Sequence, residues 1–228
     1  MACLPDGGRD RDDHGRMSDK PFSDLAIGWV HPQDAVDPYF NNSCIRVARE
    51  TEAMFIAVPS GPKIDKGRNM VVDQFLSTDK EWLLFVDTDM TFSPSMIGRL
   101  YEKRSENVIL SGFCRMADNN PVPKLRKQVD GEERWFVIGD PGEEVVAVDI
   151  TGAAFLLAHR SVYEKVAANN PGPRPYFAFT ERFGTADMSE DGEFCVRAKE
   201  CGFEIHVDGS VRPGHRKVMT VGGDSVPE

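Results

Sequence analysis

A chain of 228 residues, 40% hydrophobic and 28% charged, is long enough for one α/β domain with a full core or at most two small ones, and we read one. Its net charge of −10 argues against a surface that holds duplex nucleic acid by its phosphates, although a local basic groove around Arg115 to Arg134 stays open. No apolar run approaches the ~20 residues of a membrane span, and the start lacks the apolar centre of a signal peptide.

The expectation is therefore a cytoplasmic protein with a disordered N-terminal tail over 1–22, one domain over 23–218 and a C-terminal tail over 219–228. The five cysteines, Cys3, Cys44, Cys114, Cys195 and Cys201, are odd in number and form no C-x-x-C pair, as reduced thiols do. Cys195 and Cys201 fall where a core is expected rather than a metal.

The first apolar run, Asp24 to Val30, reads as a strand that ends in the turn His31-Pro32. From Pro38, the residues Phe40, Cys44, Val47 and Ala48 recur at helical spacing. A second strand follows over Ala53 to Val58, and Pro59-Ser60-Gly61-Pro62 breaks it. The spacing then predicts a helix over Gly67–Leu76, with Arg68 and Asn69 in the first turn, where free N–H groups and a guanidinium can meet an anion. The plainer alternative is Arg68 paired at the surface with Asp65 or Asp73.

Trp82-Leu83-Leu84-Phe85-Val86 runs straight into Asp87-Thr88-Asp89-Met90. The apolar run fits a strand covered on both faces, as in a parallel sheet. Ligands bind beyond the carboxyl ends of such strands, and carboxylates at i and i+2 can share one hard cation, which can neutralise a diphosphate. A solvated turn that happens to hold two Asp is the competing reading.

Ser93-Pro94 starts a helix, and Asn107 to Gly112 is the next strand. The order βαβαβαβ predicts a mostly parallel sheet with helices on both sides. Met116 to Gly142 is polar and reads as an excursion or hairpin over the sheet, with one strand-like piece at Arg134–Ile138. Val145 to Ile150 resumes the core, and Thr151-Gly152-Ala153-Ala154 permits close backbone approach to a ligand. Ser161 and Glu164 form a capping box for a helix to about Ala168.

Tyr176 to Phe179 is short and aromatic, and Thr180 to Met188 is a polar loop. Ser189-Glu190-Asp191 opens a helix that Gly202 closes, with Phe194, Cys195, Ala198 and Cys201 inward. Acid in a first turn also occurs for dipole reasons alone. Phe203 to Val207 is the last strand, and His215 stands in a late loop, where a lone His is commonly a surface residue.

Lys66-Gly67-Arg68-Asn69, the Asp87-Thr88-Asp89 motif, Thr151-Gly152-Ala153, Glu190-Asp191 and His215, in this order, give the chain from about Leu25 to His215 its resemblance. It is similar to the family-2-like glycosyltransferases of the GT-A fold often encoded by tailed phages and bacteria. The resemblance implies an α/β, Rossmann-like single domain and transfer of a sugar from a nucleoside-diphosphate donor, UDP-linked by family habit, to an acceptor hydroxyl. Asp89, with Asp87 and His215, would hold a divalent metal, Mn²⁺ or Mg²⁺. Asp87, Thr88 and Asp89 would bind the donor, His31 and Pro32 would line the nucleobase pocket, and Arg68 would approach the base or phosphates. Gly152 and Ala153 would face sugar and acceptor.

Asp191, beside Glu190, matches the catalytic base of inverting members. A retaining mechanism would give that position a different part. The acceptor (protein, glycan, modified nucleobase or small molecule) and the oligomeric state are left open, with long duplex DNA least favoured by charge.

Three other readings compete. Phe85-Val86-Asp87-Thr88-Asp89-Met90-Thr91 also fits the signature of haloacid-dehalogenase-like phosphatases, with Asp87 as nucleophile and Ser111, Lys124 or Lys127, Asp140 and Glu144 as helpers. That signature belongs on a first strand, however, and two strand–helix units precede it here. The second is a nucleotide-sugar-binding protein without turnover. The third is a nucleotidyltransferase releasing pyrophosphate.

Overall fold

The computed structural model describes residues 20–32, 36–59, 61, 63–115, 126–128, 135–137, 139–180 and 188–216. Most of both expected tails, Cys3, Lys124 and the loop 181–187 lie outside the described residues. At the near end of the N-terminal tail, Phe22 sits edge-on against Tyr101 at 4.9 Å.

The first half alternates strand and helix: β1 (Leu25–His31), α1 (Pro38–Glu50), β2 (Met54–Pro59), α2 (Ile64–Leu76), β3 (Trp82–Val86), the short β4 (Met90–Thr91), α3 (Pro94–Glu102) and β5 (Val108–Gly112). The polar excursion contains an antiparallel pair, β6 (Arg126–Gln128) and β7 (Trp135–Val137). The second half holds β8 (Val145–Val148), β9 (Phe155–His159), α4 (Arg160–Asn169), α5 (Glu190–Glu200), β10 (Glu204–Asp208) and β11 (Gly214–His215).

Seven strands form the central sheet in the order β2-β1-β3-β9-β5-β10-β8. It is mostly parallel, with β9 antiparallel to β3 and β5 and β8 antiparallel to β10. The side-chain period of two divides the core between the faces. Leu83 and Phe85 of β3 join Val71, Val72 and Phe75 of α2 and Phe194 of α5 on one side. Trp82, Leu84 and Val86 join Phe40 of α1 and Ile97 and Leu100 of α3 on the other. Each fully buried Phe or Leu in these layers contributes about 1.5–3 kcal/mol relative to exposure.

Local patterns identified most elements, and the departures have physical causes. β9 was not expected as a strand: Phe155-Leu156-Leu157-Ala158 is an apolar run too short for periodicity to tell strand from buried helix. It passes into α4 without a loop, so the N-cap is His159, whose ring accepts from the Ser161 backbone N–H, and the Ser161–Glu164 capping box does not form.

In α1 the buried stripe is Phe40, Ser43 and Val47, while Ala48 is exposed. Ser43 is buried because its hydroxyl accepts from Phe92 N at 3.1 Å. Helix α2 starts at Ile64, a turn earlier than expected, so Arg68 and Asn69 lie beyond its first turn and both are buried. Asn69 uses its side chain as a backbone substitute. It donates to Phe177 O and Asp65 O, each at 2.7 Å, and accepts from Tyr176 N at 3.2 Å. Tyr176 and Phe177 are thereby pinned on α2 and buried, while Phe179 is exposed.

Arg68 is 4% exposed. Its guanidinium donates to Asp87 Oδ1 at 2.9 Å and to Glu190 Oε1 at 2.7 Å, and lies over the Phe177 ring. Burial opposes its charge, but the carboxylates of Asp87, Asp191 and Glu190 outweigh that and keep it protonated. It is a buried tie between α2, the end of β3 and the start of α5, in place of the expected surface pair with Asp65 or Asp73.

Two outcomes follow. Gly67→Ala gains about 1 kcal/mol of helix propensity in an open helix, but here a Cβ would meet Val30 Cγ1 at 2.6 Å. We expect the overpacking to win, with Tm lowered by roughly 2–8 °C in a thermal melt. Arg68→Met leaves two carboxylates facing each other without their cation, and urea unfolding should show a loss of about 3–5 kcal/mol. Adding Glu190→Met to that variant should recover part of it, because an apolar pair replaces an unpaired charge.

Candidate functional site

At the carboxyl end of β3 the chain makes a turn closed by Met90 N donating to Asp87 O at 3.1 Å. Asp87-Thr88-Asp89 lies in this turn, and neither carboxylate is left to water alone. Asp87 is clamped by Arg68. Asp89 Oδ2 stands 3.0 Å from His215 Nε2. Thr88 is half-buried between them.

His215 reaches this place because β11 pairs antiparallel with β4, setting His215 opposite Met90, and because Arg216 N donates to Asp89 O at 2.8 Å. Its other nitrogen, Nδ1, is 2.7 Å from Arg115 O. A carbonyl can only accept, so that contact places a proton on Nδ1; Nε2 and the Asp89 carboxylate are then two acceptors facing each other, an arrangement that calls for a cation between them. A carboxylate and an imidazole so placed would together hold a Mg²⁺- or Mn²⁺-type ion, which would supply positive charge to a bound anion. Among the described residues no group of three or more His, Cys, Asp or Glu side chains is placed to hold a metal by itself.

Asp191 lies in the first turn of α5, after the N-cap Ser189. Its Oδ1 accepts from Gly192 N at 2.9 Å and from the Ser189 hydroxyl. These bonds fix the orientation of its carboxylate at the start of the helix. Glu190, one residue earlier, is turned towards Arg68 and acts as its counter-ion.

Because β9 runs antiparallel to β3, its first residues lie at the carboxyl edge. Asp87 N donates to Ala154 O at 3.1 Å, which sets the turn Thr151–Ala154 beside the Asp-x-Asp turn. A cleft of about 210 Å³ results, lined by the expected residues Asp87, Asp191, His215, Gly152 and Ala153. Asp89 stands behind His215, against its ring. His31 and Pro32 are not among the lining residues; they stand at the end of β1, the parallel neighbour of β3, with His31 in register with Pro59. Near them, Pro59, Lys63, Lys66 and Gly67 line a second cleft of about 370 Å³.

Cys114, to which sequence reasoning gave no role, Arg115, read only as the start of a basic stretch, and Thr151 and Ala154, read as part of the turn that a ligand can approach, complete the lining. Arg115 had a readable signal: it follows directly on β5, at the same sheet edge as Asp87. The Cys114 thiol is pushed well above its ordinary range by burial and by the Asp87 and Asp89 carboxylates, so it is no nucleophile. Asp140, a candidate helper in the phosphatase reading, is instead bound by Arg212 and Arg115. The Asp87 carboxylate, the nucleophile in that reading, is held by a guanidinium.

No helix among the described residues is long and apolar enough to cross a membrane. No family model matches the chain, and no curated protein matches it in sequence. Solved structures do. The chain is similar to A197 from STIV, with a TM-score of 0.56 and 13% identity over 85% of this chain and 86% of that one. It is also similar to GalNAc-T7 with UDP, GalNAc and Mn²⁺, with a TM-score of 0.54 and 9% identity over 84% of this chain. The match spans only 42% of the GalNAc-T7 chain. What these likenesses establish is the fold, a single α/β domain of the GT-A kind with a mostly parallel central sheet between layers of helices.

Proposed function

We propose that this protein is a metal-dependent glycosyltransferase that moves a sugar from a nucleoside diphosphate, UDP in the first instance, to an acceptor hydroxyl with inversion. The observation that supports it best is the convergence on one cleft of Asp87, Asp191, Gly152, Ala153 and His215, with Asp89 held against the His215 ring. Residues more than a hundred positions apart meet there with complementary chemistry. The resemblance to GT-A transferases and the likeness to GalNAc-T7, seen with UDP and Mn²⁺, point the same way.

In this reading Asp89 and His215 hold the divalent ion, which when bound supplies positive charge to the leaving diphosphate. Asp87 is oriented by Arg68 and fixes the donor or the ion's water shell. The turn at Gly152 and Ala153, free of bulky side chains, leaves room for the sugar. Asp191 accepts the proton of the acceptor hydroxyl as its oxygen bonds to the anomeric carbon, and the carbon–phosphate-oxygen bond breaks with its electron pair going to the leaving group. The carboxylates of Asp87 and Asp191 among the lining residues make the cleft a place where a divalent cation is welcome.

Calorimetric titration with UDP, GDP, CDP and dTDP tests the site. One of the four should bind with Mn²⁺ and bind at least tenfold more weakly with chelator, and Asp89→Ala should abolish the metal dependence. Absence of binding by all four in either condition would rule the donor site out and direct attention to phosphate monoesters.

Asp191→Asn separates turnover from binding. It should leave diphosphate affinity within about threefold and cut sugar transfer or donor hydrolysis by about 10²–10⁴, whereas unchanged turnover would remove Asp191 as the base.

A further inference from the structure

The cleft contains a charge that the proposed chemistry has not used. Asp87 and Asp191 are among its lining residues, and the one Lys or Arg among them is Arg115. Arg68 cannot serve the cleft directly, because it is buried and its charge is committed to Asp87 and Glu190. One divalent ion balances the charge of a nucleoside-diphosphate sugar, but departure of the sugar leaves further negative charge on the diphosphate, and in a cleft of carboxylates that charge needs a further cation.

Arg115 is built for that. Its backbone carbonyl accepts from His215 Nδ1 at 2.7 Å, so it touches the residue that faces Asp89. Its side chain is about half exposed, and one guanidinium N–H donates to Asp140 Oδ2 at 2.8 Å. Asp140 is itself fixed: it takes two N–H bonds from Arg212, at 2.9 and 2.5 Å, and one from Gly142 N at 2.9 Å. Arg212 is in turn anchored on Gly142 O and Gly209 O. A guanidinium has five N–H donors in a planar fork, and the bond to Asp140 uses one, leaving the rest for a bidentate anion.

We propose that Arg115 is the protein-side cation that binds the donor's diphosphate, and that Asp140 is the positioning residue that presents its guanidinium to the cleft. The proposal rests on the transferase reading above and adds the residue that recognises the leaving group. As the bond from the anomeric carbon to the phosphate oxygen breaks, its electron pair stays on the diphosphate. Arg115 donates N–H bonds to that growing charge while the acceptor's proton goes to Asp191. The cation should therefore matter more for a diphosphate than for a monophosphate.

The test is calorimetry on the full chain with Mn²⁺, titrating UDP, GDP, CDP and dTDP and the matching monophosphates into the wild type, Arg115→Gln, Arg115→Lys and Asp140→Asn. Arg115→Gln should weaken the diphosphate by about ten- to hundredfold and the monophosphate by less than about threefold. Arg115→Lys should restore part of the loss, and Asp140→Asn should give a smaller loss with the same preference for the diphosphate. Wild-type binding with no change in Arg115→Gln, or an equal loss for both nucleotide classes, overturns the role of Arg115 and leaves the transferase reading standing. No diphosphate binding by the wild type overturns both, so the two failures are told apart by the wild-type titration.

Discussion

A guanidinium buried between two carboxylates organises this protein. Taking one charge out of water costs several kcal/mol unless it is paired with good geometry, and Arg68 meets that condition by joining elements far apart in the chain. Asp87 lies 19 residues away and Glu190 lies 122 away. Neither carboxylate can be satisfied as well anywhere else, so α5 must start where β3 ends. Phe177 beneath the guanidinium and Phe194 stacked on Phe177 at 4.6 Å close the cluster against water. Electrostatics and packing thus agree on one arrangement. The cluster carries more negative than positive charge, because Asp191 is a third carboxylate acting on Arg68, and the excess is turned to the cleft.

The antiparallel strand β9 is the second constraint. In an all-parallel sheet every strand brings its carboxyl end to the ligand edge, and the turn before a strand lies at the opposite edge. Inserted in reverse between β3 and β5, β9 brings its beginning to that edge instead. The small residues of Thr151–Ala154 consequently stand beside Asp87, where backbone can approach a ligand closely, and Arg115, just beyond β5, lies across from them. A single reversed strand therefore changes which loops form the cleft without changing the two-layer core, since its residues still alternate between the two faces.

The opposite wall is held by less. β4 and β11 are two-residue strands, yet they fix the Asp89–His215 pair because three further contacts converge there: Arg216 N on Asp89 O, His215 Nδ1 on Arg115 O, and Nε2 on Asp89 Oδ2. A histidine oriented by a carbonyl on one nitrogen presents the other in a defined direction. The short ladder is a hinge of chemistry more than of stability. What surrounds it, the Asp140–Arg212–Arg115 chain, is exposed and contributes orientation rather than folding energy.

The sequence by itself determined the local structure: strands buried on both faces from unbroken apolar runs, helices from their periodicity, Pro and Ser starts, and two carboxylates at a strand end. Those signals are short-range, since a strand's period or a helix cap involves residues within a few positions of each other. Through its resemblance to GT-A transferases it also supplied the set Asp87, Gly152, Ala153, Asp191 and His215, which line one cleft. Tertiary structure alone decided that Arg68 is buried under Glu190 rather than exposed beside Asp65, and that Glu190 is a counter-ion while Asp191 faces the cleft. It also decided that Phe155–His159 enters the sheet in reverse and that Arg115 joins the lining of the cleft. The physical reason is common to all of these: they are pairings across tens to more than a hundred residues, won by competition among all possible partners for burial and charge, and no local pattern records the outcome of that competition.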